Sequence, residues 1–312
     1  MKLISRIVTL LLVSILSFCA LYWQSDRSVD ELKSQWAQAP SVFIDVNGMQ
    51  VHLRDQGPKS DPEPIVLIHG TSSSLHTWEG WSQALIDERR VIRFDLPGFG
   101  LTGPSPDNIY TIESYVEFIA ATLAKLKVNK AILVGNSFGG YIAWATAVTH
   151  PELVTKLTLV DTSGSPFTPE SMPIAFAAAK IPVVNKLMAK VTPRFAIEAS
   201  VKNVYADDSK ITEALIDQYY DLATVTGNRQ ALVERFRQAP PGPWADKIAT
   251  ISQPTLIIWG EQDKLIPIAI GEHFHREIAN SQFVSFEHLG HIPHEEGPTE
   301  TVNAFKAFLE GN

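Results

Sequence analysis

The chain has 312 residues, of which 45% are hydrophobic and 19% are charged, and this composition is typical of a globular protein and not of a disordered one. The formal net charge of -8 argues against nucleic acid as a partner, because no stretch gathers enough lysine and arginine for a basic stripe. The single cysteine, Cys19, excludes an internal disulfide and any metal site built from several cysteines.

Residues 1–24 have the pattern of a targeting segment. Lys2 and Arg6 precede an apolar run from Ile7 to Trp23, whose length is near the lower limit for a membrane-spanning helix. No convincing small-residue cleavage site follows, so we expect an uncleaved membrane anchor, with a removed signal peptide as the alternative. The positive charges before the run predict a body outside the cytoplasm, which in a bacterium is the periplasmic side.

The first strands are predicted after a polar linker at residues 25–41. The sequence SVFIDVNGMQVHLRDQG contains two strand patterns joined at Asn47-Gly48, which indicates an antiparallel hairpin. Short Val/Ile/Leu runs then alternate with helical patterns, the strands being PIVLIHG, RVIRFDLPG, KAILVG and KLTLVDTSG. This alternation predicts an α/β fold, with a mostly parallel sheet covered by helices on both faces.

The alternation stops at residues 164–247, which carry helical patterns and prolines but no convincing strand. Strand patterns resume with PTLIIWG and QFVSFEH. An interruption of this length is too long for a loop, so it predicts a helical cap inserted between two parts of the body, 42–163 and 248–312. Such a cap would cover a site at the ends of the strands.

The sequence around one serine is more typical of a catalytic residue than of a residue that packs in the core. Ser137 follows the strand KAILVG and stands between Gly135 and Gly139, in the pattern G-x-S-x-G. A strand that turns at once into a helix crowds its own backbone, so the flanking positions need residues without side chains. The serine is then expected on a strained corner, with its hydroxyl directed away from the sheet.

Other chemically active residues follow other predicted strands. The sequence His69-Gly70-Thr71 follows PIVLI, Asp263 follows PTLIIWGEQ, and His291 follows QFVSFEHLG. Sites in open α/β sheets form beyond the carboxyl ends of the strands, so these residues are expected to meet. The order Ser, Asp, His is that of the α/β-hydrolase superfamily. The chain resembles this family from about residue 42 to residue 309, through the HG turn, DLPGFGLTG, GNSFGG, WGEQDKLIP and GHIPHEEGP.

The resemblance implies a catalytic role for each residue. Ser137 would be the nucleophile, His291 its general base, and Asp263 the acid that orients the imidazole. The backbone N–H groups of Thr71 and Phe138 would form the oxyanion hole. Neither a metal nor a cofactor is expected, because this chemistry needs none and the sequence HEE alone is not a ligand motif.

Several other polar residues compete for these roles. Asp161 follows KLTLV, where some family members place the acid, but Asp263 has the more usual W-G-x-x-D context and is preferred. Asp95 in DLPG is interpreted as a structural turn residue, and His69 as a residue that braces its loop. His294, with Glu295 and Glu296, is interpreted as supporting the site residues or as a helix start, and not as a metal cluster.

A serine nucleophile narrows the reaction. Haloalkane dehalogenases and epoxide hydrolases of this fold use aspartate, so the resemblance favours a small-molecule carboxylic ester with a short to medium apolar acyl chain. The alternative is a carbon–carbon hydrolase of ring-cleavage diketones, although HGTSSS and Ile292 depart from that branch. A non-catalytic ligand-binding relative is a third possibility, which the complete triad disfavours.

Overall fold

A computed structural model describes residues 2–182 and 184–311 and contains one eight-stranded sheet. Its strands are β1 (Val42–Val46), β2 (Met49–Gln56), β3 (Ile65–Ile68), β4 (Val91–Phe94), β5 (Ala131–Asn136), β6 (Val154–Val160), β7 (Thr255–Gly260) and β8 (Ser281–Phe286). Their spatial order is β1-β2-β4-β3-β5-β6-β7-β8. The pairs β1·β2 and β2·β4 are antiparallel and all other pairs are parallel. The predicted α/β fold is confirmed.

Helices surround this sheet. They are α1 (Lys2–Leu21), α2 (Val29–Trp36), α3 (Glu79–Leu85), α4 (Ile112–Lys125), α5 (Phe138–Thr149), α6 (Ile174–Lys180), α7 (Val184–Met188), α8 (Arg194–Val204), α9 (Glu213–Ala223), α10 (Asn228–Gln238), α11 (Ile268–Glu277), α12 (Pro293–Glu296) and α13 (Pro298–Glu310). Short 3₁₀ helices lie at Leu75–Trp78, Asp208–Lys210 and Ala245–Thr250.

The hydrophobic core lies on both faces of the sheet. Ile68 and Leu133 belong to the larger cluster of buried residues, whereas their sequence neighbours Leu67 and Val134 belong to a second cluster. Successive side chains of a strand point to opposite faces, and here both faces are covered by helices. This explains why the central strands are apolar at every position and do not alternate.

The predicted hairpin is present between β1 and β2. Asn47 has φ 54° and Gly48 has φ 83°, so both residues of the turn occupy the left-handed region. Asparagine and glycine tolerate this conformation better than other residues, which is why this pair favours two-residue hairpins. Val46 and Met49 are the partners that close the turn.

The segment predicted as a linker, residues 25–41, contains α2 and packs against the rest of the protein. Ser28 caps the helix in a reciprocal arrangement with Glu31. Leu32 is fully buried in a cluster with Leu101 and Leu222. Leu101 lies in the loop after β4 and Leu222 in the segment between β6 and β7, so the helix contacts two parts of the body. The assignment of residues 25–41 as a linker stays a prediction.

The N-terminal segment forms the helix α1. Within residues 2–182 and 184–311, no helix has both the length and the apolar character that crossing a membrane requires. The prediction of a membrane anchor is therefore not supported. The location of the body outside the cytoplasm stays a prediction.

The region between β6 and β7 carries the helices α6 to α10, and its described part adds no strand to the sheet. Asp221 of α9 joins this region to the N-terminal segment. Its carboxylate lies 2.5 Å from Arg27 Nη1 and accepts a hydrogen bond of 3.0 Å from Trp36 Nε1. Asp221 is buried, and these two donors compensate the loss of its contacts with water.

The first testable prediction concerns this connection. Asp221→Ala should lower the free energy of unfolding by about 2 kcal/mol, because Arg27 and the Trp36 indole lose a buried partner. Asp217→Ala, on the same helix, breaks an exposed ion pair with Arg194 and should leave the free energy of unfolding almost unchanged, because solvent screens the pair. Denaturant unfolding of both variants measures the difference. Equal costs would contradict a structural role for Asp221.

Candidate active site

Ser137 occupies the sharp turn between β5 and α5. Its backbone has φ 55° and ψ -117°, a conformation that is strained for a residue with a side chain. A Cβ atom on Gly135 would lie 2.2 Å from the carbonyl oxygen of Gly139, and one on Gly139 would lie 2.3 Å from the carbonyl oxygen of Ile68. Only glycine fits at either position, as the G-x-S-x-G pattern implies.

His291 and Asp263 form a buried pair. His291 Nδ1 lies 2.7 Å from Asp263 Oδ2. Asp263 Oδ1 accepts hydrogen bonds from the backbone N–H groups of Leu265 at 2.8 Å and Ile266 at 2.9 Å, which fix the orientation of the carboxylate. With Nδ1 donating to the carboxylate, Nε2 of a neutral imidazole is the acceptor that a general base requires.

Asn136 connects this pair to the serine turn. Its side-chain nitrogen donates to the carbonyl oxygens of His291 at 3.0 Å and of Val160 at 3.1 Å. In the described part of the chain the Ser137 hydroxyl makes no hydrogen bond, so the structure places serine and histidine on adjoining loops without joining them. Such contacts often form only when substrate is bound.

Asp161, the residue directly after β6, is also buried near the His291–Asp263 pair. Its Oδ1 accepts a hydrogen bond of 3.0 Å from the backbone N–H of Gly260, and the imidazole is paired with Asp263 instead. One polar atom from each of Asp161, Asp263 and His291 lies within 4.8 Å of the others, close enough to suggest a metal site. The separation of 2.7 Å between Nδ1 and Oδ2 is, however, that of a hydrogen bond.

The HG turn packs directly against the serine turn. A Cβ atom on Gly70 would lie 3.1 Å from the Cβ atom of Ser137. The next residue is Thr71, whose backbone N–H is a predicted oxyanion donor. The other predicted donor, the N–H of Phe138, belongs to the first turn of α5, where backbone N–H groups lack helical partners. Their role in catalysis stays a prediction.

The two residues interpreted as structural have extensive local contacts. His69 Nε2 accepts from the backbone N–H of Leu96 at 2.9 Å, and its Nδ1 lies 2.7 Å from the carbonyl oxygen of Gly70. Asp95 lies 2.8 Å from His52 Nδ1. Burial opposes ionisation of Asp95, but the charge and hydrogen bond of His52 hold its pKa below the usual range. These contacts brace the loops beside the site.

Glu296 connects the loop that carries His291 to the region between β6 and β7. Its carboxylate accepts backbone N–H groups from Gly290 at 2.7 Å, Asp207 at 2.8 Å and Ala206 at 3.0 Å. We call this set of contacts the histidine clasp. Sequence analysis placed this glutamate at a helix start, and its partners across the site could not be inferred from the motif.

The neighbouring Glu295 has side-chain donors. Its carboxylate accepts hydroxyl groups from Tyr205 at 3.0 Å, Tyr219 at 3.1 Å and Thr77. Burial raises the pKa of Glu295, and these hydroxyl groups oppose the rise. Both tyrosines come from the region between β6 and β7, so they add to the connection that the histidine clasp makes.

A cavity of about 570 Å³ extends from the HG turn under the helices that follow β6. Its wall is mostly apolar and includes Leu11, Phe18, Thr71, Phe99, Phe176 and Leu232. Helix α1 therefore contributes to the lining together with the predicted cap. An apolar cavity with few polar groups is typical of a small-molecule site.

Arg235 of α10 is a buried cation that sequence analysis missed. It is 6% exposed, and its guanidinium carbon lies 3.8 Å from the ring centroid of Phe138 and 4.7 Å from that of Phe236. Among the described residues, no carboxylate pairs with it, and burial lowers its pKa to about 10. The only signal in the sequence that favours burial of Arg235 is its position on an amphipathic helix, one turn after Leu232.

Comparisons with known proteins agree with this geometry. Residues 63–298 match the family described as alpha/beta hydrolase fold. The chain is 30% identical over 273 residues to the 2-hydroxy-6-oxo-2,4-heptadienoate hydrolase of Pseudomonas putida, covering 83% of this chain and 94% of the relative.

Two solved structures with 25% sequence identity are also similar. The meta-cleavage product hydrolase of Pseudomonas fluorescens IP01 has a TM-score of 0.74 and covers 88% of this chain and 98% of its own. A putative lipase of Acinetobacter baumannii AYE has a TM-score of 0.76 and covers 92% of this chain and 97% of its own. The named activities of these proteins are hydrolytic, and the chain belongs to the α/β-hydrolase family.

Proposed function

We propose that the chain hydrolyses carboxylic esters with short to medium apolar acyl chains, using Ser137, His291 and Asp263. The observation that carries the proposal is the His291–Asp263 pair of 2.7 Å, tied through Asn136 to the strained serine turn. This arrangement supports His291 as a base of fixed orientation, which a serine nucleophile requires.

The proposed reaction begins with attack of Ser137 Oγ on the ester carbonyl carbon while His291 Nε2 takes the hydroxyl proton. Negative charge then develops on the carbonyl oxygen, where the N–H groups of Thr71 and Phe138 would donate. One such donor is worth about 3 kcal/mol in comparable enzymes. The imidazolium returns the proton to the departing alcohol, which leaves an acyl group on the serine.

Water completes the cycle. His291 takes a proton from the water as its oxygen attacks the acyl carbon, and the proton passes to Ser137 as the carboxylic acid leaves. Asp263 would stabilise the imidazolium both while the acyl group forms on the serine and while water removes it. The apolar cavity of about 570 Å³ beside Thr71 supports an apolar group on the substrate, and its volume is within the usual range for small-molecule sites.

The second testable prediction concerns the triad. The full chain should hydrolyse p-nitrophenyl esters, with Ser137→Ala lowering kcat by about 10⁶-fold. Asp263→Asn should lower kcat by about 10⁴-fold, because the imidazole then adopts the wrong tautomer. Release of p-nitrophenol across acetate, butyrate, octanoate and palmitate measures both effects and the chain-length preference.

The control for this experiment is Ser34→Ala, an exposed serine on α2, which should behave as the unaltered protein. Retention of activity by Ser137→Ala would mean that another group is the nucleophile. Folded protein that turns over none of the four esters would exclude the ester proposal and leave the second candidate.

The second candidate is hydrolysis of a carbon–carbon bond in a ring-cleavage diketone. Two observations support it. The Pseudomonas putida relative is named for 2-hydroxy-6-oxo-2,4-heptadienoate, a carboxylate. Arg235 is a buried guanidinium packed on the residue after the nucleophile, and no carboxylate of the described chain neutralises it. A buried unpaired charge is costly, and an anionic substrate would compensate it.

The third testable prediction separates the two candidates. If Arg235 receives a substrate carboxylate, Arg235→Met should reduce the ratio of kcat/KM for 2-hydroxy-6-oxo-2,4-heptadienoate to that for p-nitrophenyl butyrate by about 10- to 100-fold. This is the range expected for a lost hydrogen bond to a charged group. Spectrophotometric assays of both substrates measure the ratio.

Arg237→Met provides the matched control, because Arg237 lies two residues later on α10 and its side chain is 70% exposed beside Glu234. In this variant the ratio of kcat/KM for the two substrates should not change. Equal losses on both substrates in Arg235→Met would show that the guanidinium supports the structure by packing on Phe138 and does not recognise an anion.

A further inference from the structure

Asp161 places a second carboxyl group beside the acid of the proposed triad. It is the residue directly after β6 and is fully buried, and its backbone has φ 43°, in the left-handed region that residues with a side chain rarely adopt. A strained and buried carboxyl that is not paired with the imidazole calls for a physical explanation.

The two oxygens of Asp161 have different surroundings. Oδ1 accepts the backbone N–H of Gly260 at 3.0 Å. Oδ2 is buried, and no donor from the described residues reaches it. The charged or titratable groups that face this carboxyl are Asp263, His291 and Glu296. Two of these three are acidic, so a second negative charge here would be unfavourable.

The number of donors decides which aspartate carries a proton. Asp263 accepts three hydrogen bonds, from the backbone of Leu265 and Ile266 and from His291 Nδ1, whereas Asp161 accepts one. Each donor stabilises the ionised form of a carboxyl, and Asp161 has a single one. Burial, followed by the charge of Asp263, raises the pKa of Asp161 well above its usual range.

We propose that Asp161 is a positioning residue in its neutral form, a carboxylic acid whose Oδ2–H donates a hydrogen bond to Asp263. This proton gives the otherwise unpartnered Oδ2 a role. It also means that Asp263 receives donors from two sides, His291 and Asp161. The negative charge of Asp263 is then shared between these two hydrogen bonds. Asp263 therefore stabilises the imidazolium form of His291 less strongly.

The fourth testable prediction uses infrared difference spectroscopy of the full chain at neutral pH, and it does not depend on the proposed function. The unaltered protein should show the carbonyl band of a protonated carboxyl that is absent from Asp161→Asn. Glu295→Gln serves as the control, because it removes only the band that its own carboxyl contributes. If Asp161→Asn instead removes carboxylate bands alone, Asp161 is ionised and the proposal is overturned.

A second measurement rests on the proposed ester hydrolysis, because it uses the acid limb of the pH profile of kcat/KM. An asparagine amide can donate to Asp263 and accept from Gly260, so Asp161→Asn should leave the limb at the same pH. Asp161→Leu removes the donor and should move the limb to higher pH, because Asp263 then stabilises the imidazolium more strongly.

The outcomes of the two measurements are distinguishable. A shift of the acid limb to lower pH in Asp161→Asn would mean that a negative charge had been removed, which overturns the proposal. Absence of ester turnover in the unaltered protein would refute the ester hydrolysis, and the infrared result would still decide the protonation of Asp161. If Asp161→Leu does not fold, the asparagine variant alone gives the answer.

Discussion

The site depends on a place where two stretches of backbone come closer together than any side chain would allow. Gly135 and Gly139 make this approach possible, and together they hold the turn at Ser137 against the end of β3. The strain at the serine is maintained by the surrounding sheet, since β5 is paired on both sides by parallel strands. The conformation of Ser137 is consequently fixed by the fold itself.

Features that follow from the backbone were predictable from the sequence. The hairpin at Asn47-Gly48, the glycine spacing around Ser137 and the alternation of strands with helices each reflect a local rule of chain geometry. The meeting of Asp263 with His291 also followed from topology, because parallel neighbouring strands bring their carboxyl ends to the same edge of the sheet.

Features that depend on long-range side-chain contacts were not predictable. The sequence shows that Arg235 is charged, but not that a phenylalanine ring lies under it. It shows two aspartates after neighbouring strands, but the register of β6 with β7 and the path of the following loop decide which one meets the imidazole. The burial of α2 likewise depends on a partner surface nearly 200 residues away in the chain.

The histidine clasp couples the segment between β6 and β7 to the loop that carries His291. Glu296 accepts hydrogen bonds from Gly290 on one side and from residues 206 and 207 on the other, so it joins two stretches of backbone that lie far apart in the sequence. These two parts of the chain are therefore expected to move together, so that a displacement of the segment between β6 and β7 would also change the position of His291 relative to Ser137.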